Sequence, residues 1–95
     1  MKEEELLADV RELIAEHRLL GYHTHDSRRS ERGFPDLVIC GRRVLFRELK
    51  TTEGTMSGPQ ARWKWRLLAT GADWGIWTPE DLASGRIERE LTEIS

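Results

Sequence analysis

Apolar side chains recur at helical spacing near the start of the chain. They stand three and four positions apart, the repeat that gathers side chains on one stripe of an α-helix. The members of this stripe are Leu6, Leu7, Val10, Leu13, Ile14 and His17. We therefore predict an amphipathic helix over residues 2–20, ended by Gly21. Extended back by one turn, the stripe reaches Glu3, whose carboxylate should lie on the core side of the helix start.

Two short apolar runs in the middle of the chain predict a β-hairpin. Residues 37–40 and 44–46 are rich in β-branched and aromatic side chains, and the tripeptide Gly-Arg-Arg separates them. A three-residue loop pairs Cys40 with Val44. A two-residue loop would shift the pairing by one position and turn every side chain of one strand to the other face.

The predicted register decides where three charged side chains lie. It places Asp36 opposite Glu48 at the open end of the hairpin, with Lys50 on the same face. Opposed carboxylates repel each other by up to about 1 kcal/mol, so the pair requires a compensating cation. Lys50 supplies one. Mg²⁺ or Mn²⁺ is a second candidate, because hard ions accept carboxylates, backbone carbonyls and water. The alternative is a surface pair of Glu48 and Lys50, with Asp36 capping a turn.

The second half of the chain contains a clear helix start. Ser57 is placed to cap a helix over residues 58–70, with Gln60 at the capping-box position and Gly71 closing the helix. The preceding connector, residues 51–56, is either a substrate-responsive loop or a plain link. We expect the apolar side chains of this helix to serve core packing rather than base stacking. The side chains concerned are Ala61, Trp65 and Leu68, with Trp63 and Leu67 beside them.

The other elements are shorter. Residues 22–26 alternate in polarity and predict a strand that enters a basic polar loop over 27–33. A further strand is predicted over 73–78, and a short helix follows over 79–84. Residues 85–95 fit either a strand or a helix. The sequence thus predicts an α/β domain in which helices flank a small mixed sheet with a central hairpin.

Composition fits one folded domain over residues 1–95. Charged residues make up 34% of the chain and hydrophobic ones 38%, with four tryptophans, which is typical of a folded domain rather than a disordered tail. A domain of this size buries proportionately little surface, which favours dimerisation. The single cysteine, Cys40, and the lack of a long apolar run predict a reducing, cytoplasmic setting without a membrane.

The net charge of -2 hides an uneven distribution. Acidic residues are frequent near both ends, whereas Arg and Lys are concentrated in the middle of the chain. A basic belt around an acidic site is therefore compatible with binding of a polyanion. The basic residues concerned are Arg28, Arg29, Arg32, Arg42, Arg43, Arg47, Arg62, Lys64 and Arg66.

Two histidines near this belt allow two interpretations. His23 and His25 would project from one strand face and, with Cys40, suggest zinc. Structural zinc takes four N or S ligands, however, and of the three His and one Cys in the chain, His17 is committed to the first helix. We favour contacts from the loop to the phosphates of a nucleic acid, with a merely solvated loop as the alternative. The residues predicted to make these contacts are His25, Ser27, Arg28, Arg29 and Arg32.

The motifs around the hairpin resemble those of a nuclease family. Pro35-Asp36, followed by Glu48-Leu49-Lys50, is similar to the PD-(D/E)xK signature. The flanking stretches GFPDLV, FRELKT and SGPQ resemble the VRR-NUC branch, the virus-type replication and repair nucleases. The resemblance covers nearly the whole chain. It implies a restriction-endonuclease-like core and hydrolysis of DNA phosphodiester bonds with Mg²⁺ or Mn²⁺.

The resemblance also implies roles for individual residues. Asp36 and Glu48 would bind the ion together with the Leu49 backbone carbonyl. The family uses an acidic residue of the first helix as well, for which Glu3 has the right phase and Glu4 is the alternative. In addition, Lys50 and Gln60 are implied to be catalytic residues: Lys50 beside the attacking water, and Gln60 near the phosphate or the water.

The substrate implied by the family is structured DNA, such as a four-way junction cut by a homodimer in a bacterial or phage-infected cell. Three alternatives stay open. The first is an enzyme of the same chemistry acting as a nickase or flap nuclease. The second is a DNA-binding module without turnover, and the third is a structural subunit of a phage or replication assembly. Only the first alternative requires the carboxylates, the lysine and the glutamine to act together.

Overall fold

A mixed four-stranded sheet forms the centre of the molecule and helices flank it. The computed structural model describes residues 1–24, 30–51 and 56–95. In chain order the elements are α1 (Glu3–Glu16), β1 (Leu20–His23), β2 (Leu37–Cys40), β3 (Val44–Leu49), α2 (Gly58–Ala69), β4 (Asp73–Trp77), α3 (Pro79–Ala83) and α4 (Arg86–Ile94). The strand order is β1-β2-β3-β4, and only the β3–β4 pair is parallel. The predicted α/β class with a small mixed sheet and flanking helices is confirmed.

The central hairpin has the register that the sequence predicts. Cys40 pairs with Val44, and Val38 pairs with Phe46, across a three-residue turn. The parallel strand β4 then pairs with β3 after the α2 crossover, as such a connection requires. Because the register is the one with a three-residue loop, Glu48 lies on the same face of the sheet as Val38, the partner of Phe46.

One face of the sheet carries the hydrophobic core. Four side chains of the hairpin point to this face, and helices α1 and α4 pack against it. The members of the core are Leu6, Val10, Ile14, Leu37, Ile39, Leu45, Leu49, Trp77, Ile87, Leu91 and Ile94. Three of them come from α4, a segment whose secondary structure the sequence left open. Their spacing of four and three residues forms a single stripe that the sheet buries.

The first helix is shorter than predicted. It ends at Glu16 instead of reaching residue 20, and Arg18 makes the turn with a positive φ of 58°. Gly21 does not end the helix, because it belongs to β1, which begins two residues before the predicted strand. A Cβ at Gly21 would lie 3.2 Å from the Ile14 Cγ2 atom, so the glycine allows the strand to pass close to the helix.

Helix α2 packs on a different side than expected. None of its residues is buried, and Trp65 and Leu68, predicted to be core residues, are exposed. The half-buried side chains include Ala61, Trp63 and Leu67, which the sequence also placed towards the core, and Lys64, which it did not. Helix α2 contacts β4 but contributes no residue to the core cluster. The side of α2 that faces the sheet is rotated by about one residue from the predicted side. The prediction of its core side chains was therefore wrong for Trp65 and Leu68.

The remaining predicted boundaries agree with the structure. Ser57 and Gln60 form the predicted capping box at the start of α2, and Gly71, with a φ of 84°, follows its end. Thr78 caps α3 through the Asp81 backbone N–H. Within the described ranges, no helix is long and apolar enough to cross a membrane.

Arg47 does not belong to the basic belt in which the sequence placed it. Its side chain points into the core face, where only 4% of the residue is exposed. The guanidinium pairs with Glu90 at 2.7 Å and with Asp73 at 2.9 Å, and it lies 5.3 Å from the Trp77 ring centroid. Gly75 makes room for it, because a Cβ there would lie 3.3 Å from the Arg47 Cζ atom. Arg47 therefore ties β3, β4 and α4 together.

Candidate active site

The two acids predicted to meet at the open end of the hairpin do meet there. Glu48 is in β3, and Asp36 immediately precedes β2. The side chains of the two acids are hydrogen-bonded to each other, and the Leu49 backbone N–H donates to Asp36 Oδ2 at 2.8 Å. On the other side, the Thr24 backbone N–H donates to the Asp36 carbonyl at 3.0 Å. Both neighbouring strands thus hold Asp36 in place beside Glu48.

Glu48 is an acid in an environment that favours its protonated form. Only 3% of the residue is exposed, and this burial, followed by the hydrogen bond and the negative charge of Asp36, raises the pKa of Glu48 to about 9. The positive charge of Lys50 acts in the opposite direction, and Glu3 adds a further negative charge. Near neutral pH Glu48 is therefore protonated, because a buried negative charge next to the Asp36 carboxylate is unfavourable without a cation.

Gln60 connects the start of α2 to Lys50. Its Oε1 atom accepts a hydrogen bond from the Ser57 backbone N–H at 3.0 Å and a second from Lys50 Nζ at 3.4 Å. Its own backbone N–H donates to Ser57 Oγ at 3.3 Å. The capping and the site interpretations of Gln60 are therefore compatible. The carbonyl that caps the helix also holds the Lys50 ammonium.

Glu3 is the acidic residue of the α1 start that approaches the pair. Partial burial and the negative charge of Asp36 raise the pKa of Glu3, and the positive charge of Lys50 offsets only part of this rise. The Glu3 carboxylate therefore lies within electrostatic range of both groups. The residue remains accessible to solvent. Glu3 thus lies at the edge of the site, on the helix side that the sequence predicted, and adds a negative charge to that of Asp36.

An open groove leads to the acids. It has a volume of about 670 Å³ and reaches from Thr24 and residues 30–34 to the start of α2 at Gln60, with Asp36 and Glu48 at its base. The groove is wide enough for an extended ligand and is not enclosed. Of the predicted catalytic and metal-binding residues, Asp36, Glu48 and Gln60 line this groove.

The predicted DNA-binding loop is described only in part. His25, Ser27, Arg28 and Arg29 lie outside the described residues. Arg32 is described, is exposed and lines the groove, and its backbone carbonyl accepts a hydrogen bond from Trp63 Nε1 at 3.1 Å. This bond attaches the end of the loop to α2.

The zinc interpretation does not fit the strand register. Cys40 pairs with Leu20, and His23 is three positions further along β1, so Cys40 and His23 project from opposite faces of the sheet. Their backbones are also about 10 Å apart along the strands. In the part of the chain that the structure describes, no three His, Cys, Asp or Glu side chains are grouped closely enough to hold a metal ion.

The donor set of the acidic pair nevertheless suits a hard divalent cation. Asp36 and Glu48 provide carboxylate oxygens on one face, and the Leu49 peptide borders them through its N–H bond to Asp36. Mg²⁺ is commonly bound by one or two carboxylates, with water and substrate oxygens completing its octahedron. The raised pKa of the buried Glu48 next to Asp36 also marks a place where a cation would relieve repulsion. The predicted ligands Asp36 and Glu48 therefore fit Mg²⁺ or Mn²⁺, with Glu3 close enough to add charge.

Replacing Glu48 by glutamine is expected to stabilise the metal-free protein, and increasingly so as the pH rises. Because the pKa is raised from its usual 4.5 to about 9, folded Glu48 keeps a proton that the unfolded chain loses. The free energy of unfolding of the parent therefore falls with pH between these two values, whereas below 4.5 the group contributes nothing. The amide of a glutamine donates a similar hydrogen bond and does not ionise.

Urea unfolding in EDTA, repeated from about pH 5 to about pH 9, measures this effect. Glu12→Gln, at an exposed position of α1, is the matched control. A Glu48→Gln variant whose stability changes with pH as steeply as that of the parent would show that Glu48 is ionised in the folded protein.

Sequence patterns did not reveal one further surface beside the groove. Trp65, Arg62 and Arg66 line a second open groove on the outer side of α2, which shares Glu31, Arg32 and Pro59 with the first. The signal available in the sequence was an Arg-x-x-Trp-Arg spacing, which places the three side chains on one side of a helix.

No family model matches this chain, and no curated protein or solved structure is found to match it.

Proposed function

We propose that this domain is a metal-dependent DNA endonuclease of the PD-(D/E)xK type, with a restriction-endonuclease-like core and membership of the VRR-NUC branch. The observation that supports it most is the hydrogen-bonded pair of acids, Asp36 and the buried Glu48, within electrostatic range of Lys50. Two carboxyls side by side, one of them buried, destabilise the fold and offer no structural advantage over an apolar pair. They are useful where a cation takes the place of the proton.

Asp36, Glu48 and the Leu49 carbonyl would hold Mg²⁺ or Mn²⁺, with Glu3 assisting from α1. When bound, the ion supplies Lewis acidity, which lowers the pKa of a water molecule and offsets charge on the phosphate. Glu48 gives up its proton to solvent as part of this binding. The affinity for the ion should therefore increase with pH up to about 9.

Lys50 is proposed to orient the attacking water. Gln60 Oε1 holds the Lys50 ammonium at 3.4 Å, on the face of the sheet that carries the acids. The water oxygen forms a bond to phosphorus as the bond from phosphorus to one sugar oxygen breaks. The water proton passes to solvent, and the leaving oxygen takes a proton from solvent. The ammonium stabilises the negative charge that develops on the attacking oxygen.

The proposed substrate is branched DNA of the four-way type, cut by a homodimer. Strand β1 supports the dimer, because it is a sheet edge on which Leu20 is 77% and Tyr22 is 56% exposed. Exposed edges of this kind pair readily with a second copy, and antiparallel pairing of two identical edges is two-fold symmetric.

The dimer can be tested by sedimentation, which should show a dimer for the parent and a monomer for Tyr22→Lys. A parent that sediments as a monomer would remove the dimer from the proposal.

The alternatives differ in what they require of the site. A nickase or flap nuclease would use the same residues on other DNA. A DNA-binding module or a structural subunit would have no use for the buried Glu48. The lone cysteine favours a cytoplasmic setting for each of these functions.

The test is incubation of the purified protein with labelled linear, flap and four-way DNA, in Mg²⁺, in Mn²⁺ and in EDTA. We expect cleavage of the four-way substrate in both metals and none in EDTA. Preference for flap or nicked DNA would select the first alternative. Binding without cleavage in either metal would contradict the nuclease proposal and select the binding module.

A further inference from the structure

The outer side of α2 exposes a large aromatic side chain. Trp65 is 64% exposed, although tryptophan usually buries most of its surface. The Lys64 ammonium lies 4.9 Å from the centroid of the Trp65 ring and 5.1 Å from that of Trp74. Lys64 therefore makes a cation–π contact with the Trp65 ring and places a positive charge beside it. An exposed aromatic ring held in this way is suited to stacking against a flat ligand.

Two arginines flank this ring. Arg62 and Arg66 are four positions apart on α2, with Trp65 between them, and both are exposed. Among the described residues neither forms an ion pair, in contrast to Arg43, Arg47 and Arg86. Folding thus leaves their guanidinium groups available to phosphates. Arginine forks next to an aromatic ring form the combination that binds single-stranded nucleic acid.

The groove along α2 adjoins the groove of the candidate active site. It has a volume of about 1100 Å³ and is lined by Arg32, Arg62, Trp65 and Arg66, with Glu31 as its single acid among the lining residues. Glu31, Arg32 and Pro59 also line the groove that holds the two carboxyls. A strand lying along α2 would therefore continue towards Asp36 and Glu48 without crossing a barrier of negative charge.

We propose that the outer side of α2 binds an unpaired strand of DNA and leads it to the carboxylate pair. This inference rests on the proposed nuclease function and specifies that the strand to be cut is unpaired next to the cut, as it becomes where the branch point of a four-way junction opens. Stacking selects unpaired bases, because the faces of the bases in a continuous duplex are already covered by their neighbours. Trp65 would stack on a base, while Arg62 and Arg66 bind the phosphates on either side.

The first experiment measures binding in EDTA, where no cleavage occurs. Titration with a labelled single-stranded DNA oligonucleotide should quench tryptophan fluorescence in the parent. Trp65→Ala should lose most of the quenching and weaken binding roughly 5- to 150-fold, whereas Trp65→Phe should keep most of the affinity. Leu68→Ala, at an exposed apolar position of the same helix outside the groove, is the matched control and should bind like the parent.

The second experiment tests the arginines through salt dependence. The double change of Arg62→Ala with Arg66→Ala should make the plot of log K against log[salt] shallower by about 1.4, since each phosphate contact on a single strand contributes about 0.7. Arg11→Ala with Arg89→Ala removes the same charge from exposed positions elsewhere and should leave the slope unchanged. Equal slopes for the α2 variant and the parent would overturn the inference.

Further outcomes separate this inference from the nuclease proposal. Trp65→Ala that binds and cleaves like the parent overturns the inference and leaves the nuclease intact. Loss of binding in Trp65→Ala, with no DNA cleaved by the parent in any metal, supports the interface and contradicts the nuclease. If duplex DNA, RNA of the same sequence or an acidic peptide binds more tightly than the single-stranded DNA oligonucleotide, the groove serves that other ligand and the inference is wrong. A changed sedimentation rate of Trp65→Ala assigns it to a second copy of the chain.

Discussion

Asp36→Asn is expected to abolish metal-dependent DNA cleavage, with a loss of at least about 100-fold in the rate, while the fold and DNA binding are retained. The asparagine carbonyl still accepts the hydrogen bond that the Leu49 N–H donates to Asp36 Oδ2 at 2.8 Å. The substitution therefore keeps the local geometry and removes only the negative charge. With one of two carboxylates neutral, the site loses half of the charge that would hold Mg²⁺ or Mn²⁺.

Single-turnover cleavage of labelled four-way DNA measures this loss, and binding in EDTA checks that the DNA interface is intact. Asp9→Asn, at an exposed position of α1, is the matched control and should cleave like the parent. A second readout does not depend on activity. Since the Asp36 hydrogen bond and charge both help to raise the pKa of Glu48, that pKa should fall in the variant, as seen in a carboxyl NMR titration. Unchanged turnover in Mg²⁺ would remove Asp36 from the mechanism.

Arg47→Ala is expected to lower the free energy of unfolding by about 3–5 kcal/mol, the usual cost of leaving buried charges without their partner. Arg47 is buried, and its loss removes the buried cation from the mostly buried Glu90, which keeps its pair with the half-exposed Arg86. Asp73 is partly exposed and keeps its pair with Arg43. Burial alone would raise the pKa of Glu90, but hydrogen bonds from Arg47 and Trp77 hold it below its usual value. Because the folded-state pKa is lowered, this stabilisation is present above the usual glutamate pKa and is lost as the pH falls.

Urea unfolding of Arg47→Ala and of Arg86→Ala provides the comparison. Arg86 also pairs with Glu90, at 2.7 Å, but its side chain is half exposed, so its loss should cost only about 0–1 kcal/mol. The difference between Arg47→Ala and the parent should shrink at low pH, where Glu90 is protonated. A cost below about 1 kcal/mol for Arg47→Ala would mean that water replaces the guanidinium and that the cluster is not buried in solution.

The hairpin was predictable because its determinants are local. Loop length and strand alternation set the register, and the register alone places Asp36 beside Glu48. The capping box at Ser57 and Gln60 is local in the same sense, since it needs only neighbouring backbone groups. Neither the hairpin register nor the capping box depends on packing against distant segments. The candidate site could therefore be predicted from the sequence without knowledge of the fold.

The errors all concern contacts between distant segments. The sequence indicated that α2 is amphipathic, but which stripe faces inward depends on where β4 lies, and Trp65 proved to be outside. Arg47 is buried because Glu90 and Asp73, far along the chain, are placed to receive it. The end of α1 shows the same limit. Close packing of Gly21 against Ile14, rather than any local stop signal, accompanies the early turn at Arg18.

By itself the sequence determined the order of most elements, the strand pairing of the hairpin and the meeting of two acids with a lysine on one face. The tertiary structure decided the raised pKa of Glu48, the bond from Lys50 to Gln60 and the exposed ring of Trp65. The physical reason is that periodicity and turn chemistry act through the backbone over a few residues. Burial, charge pairing and exposure depend on which distant surfaces come together.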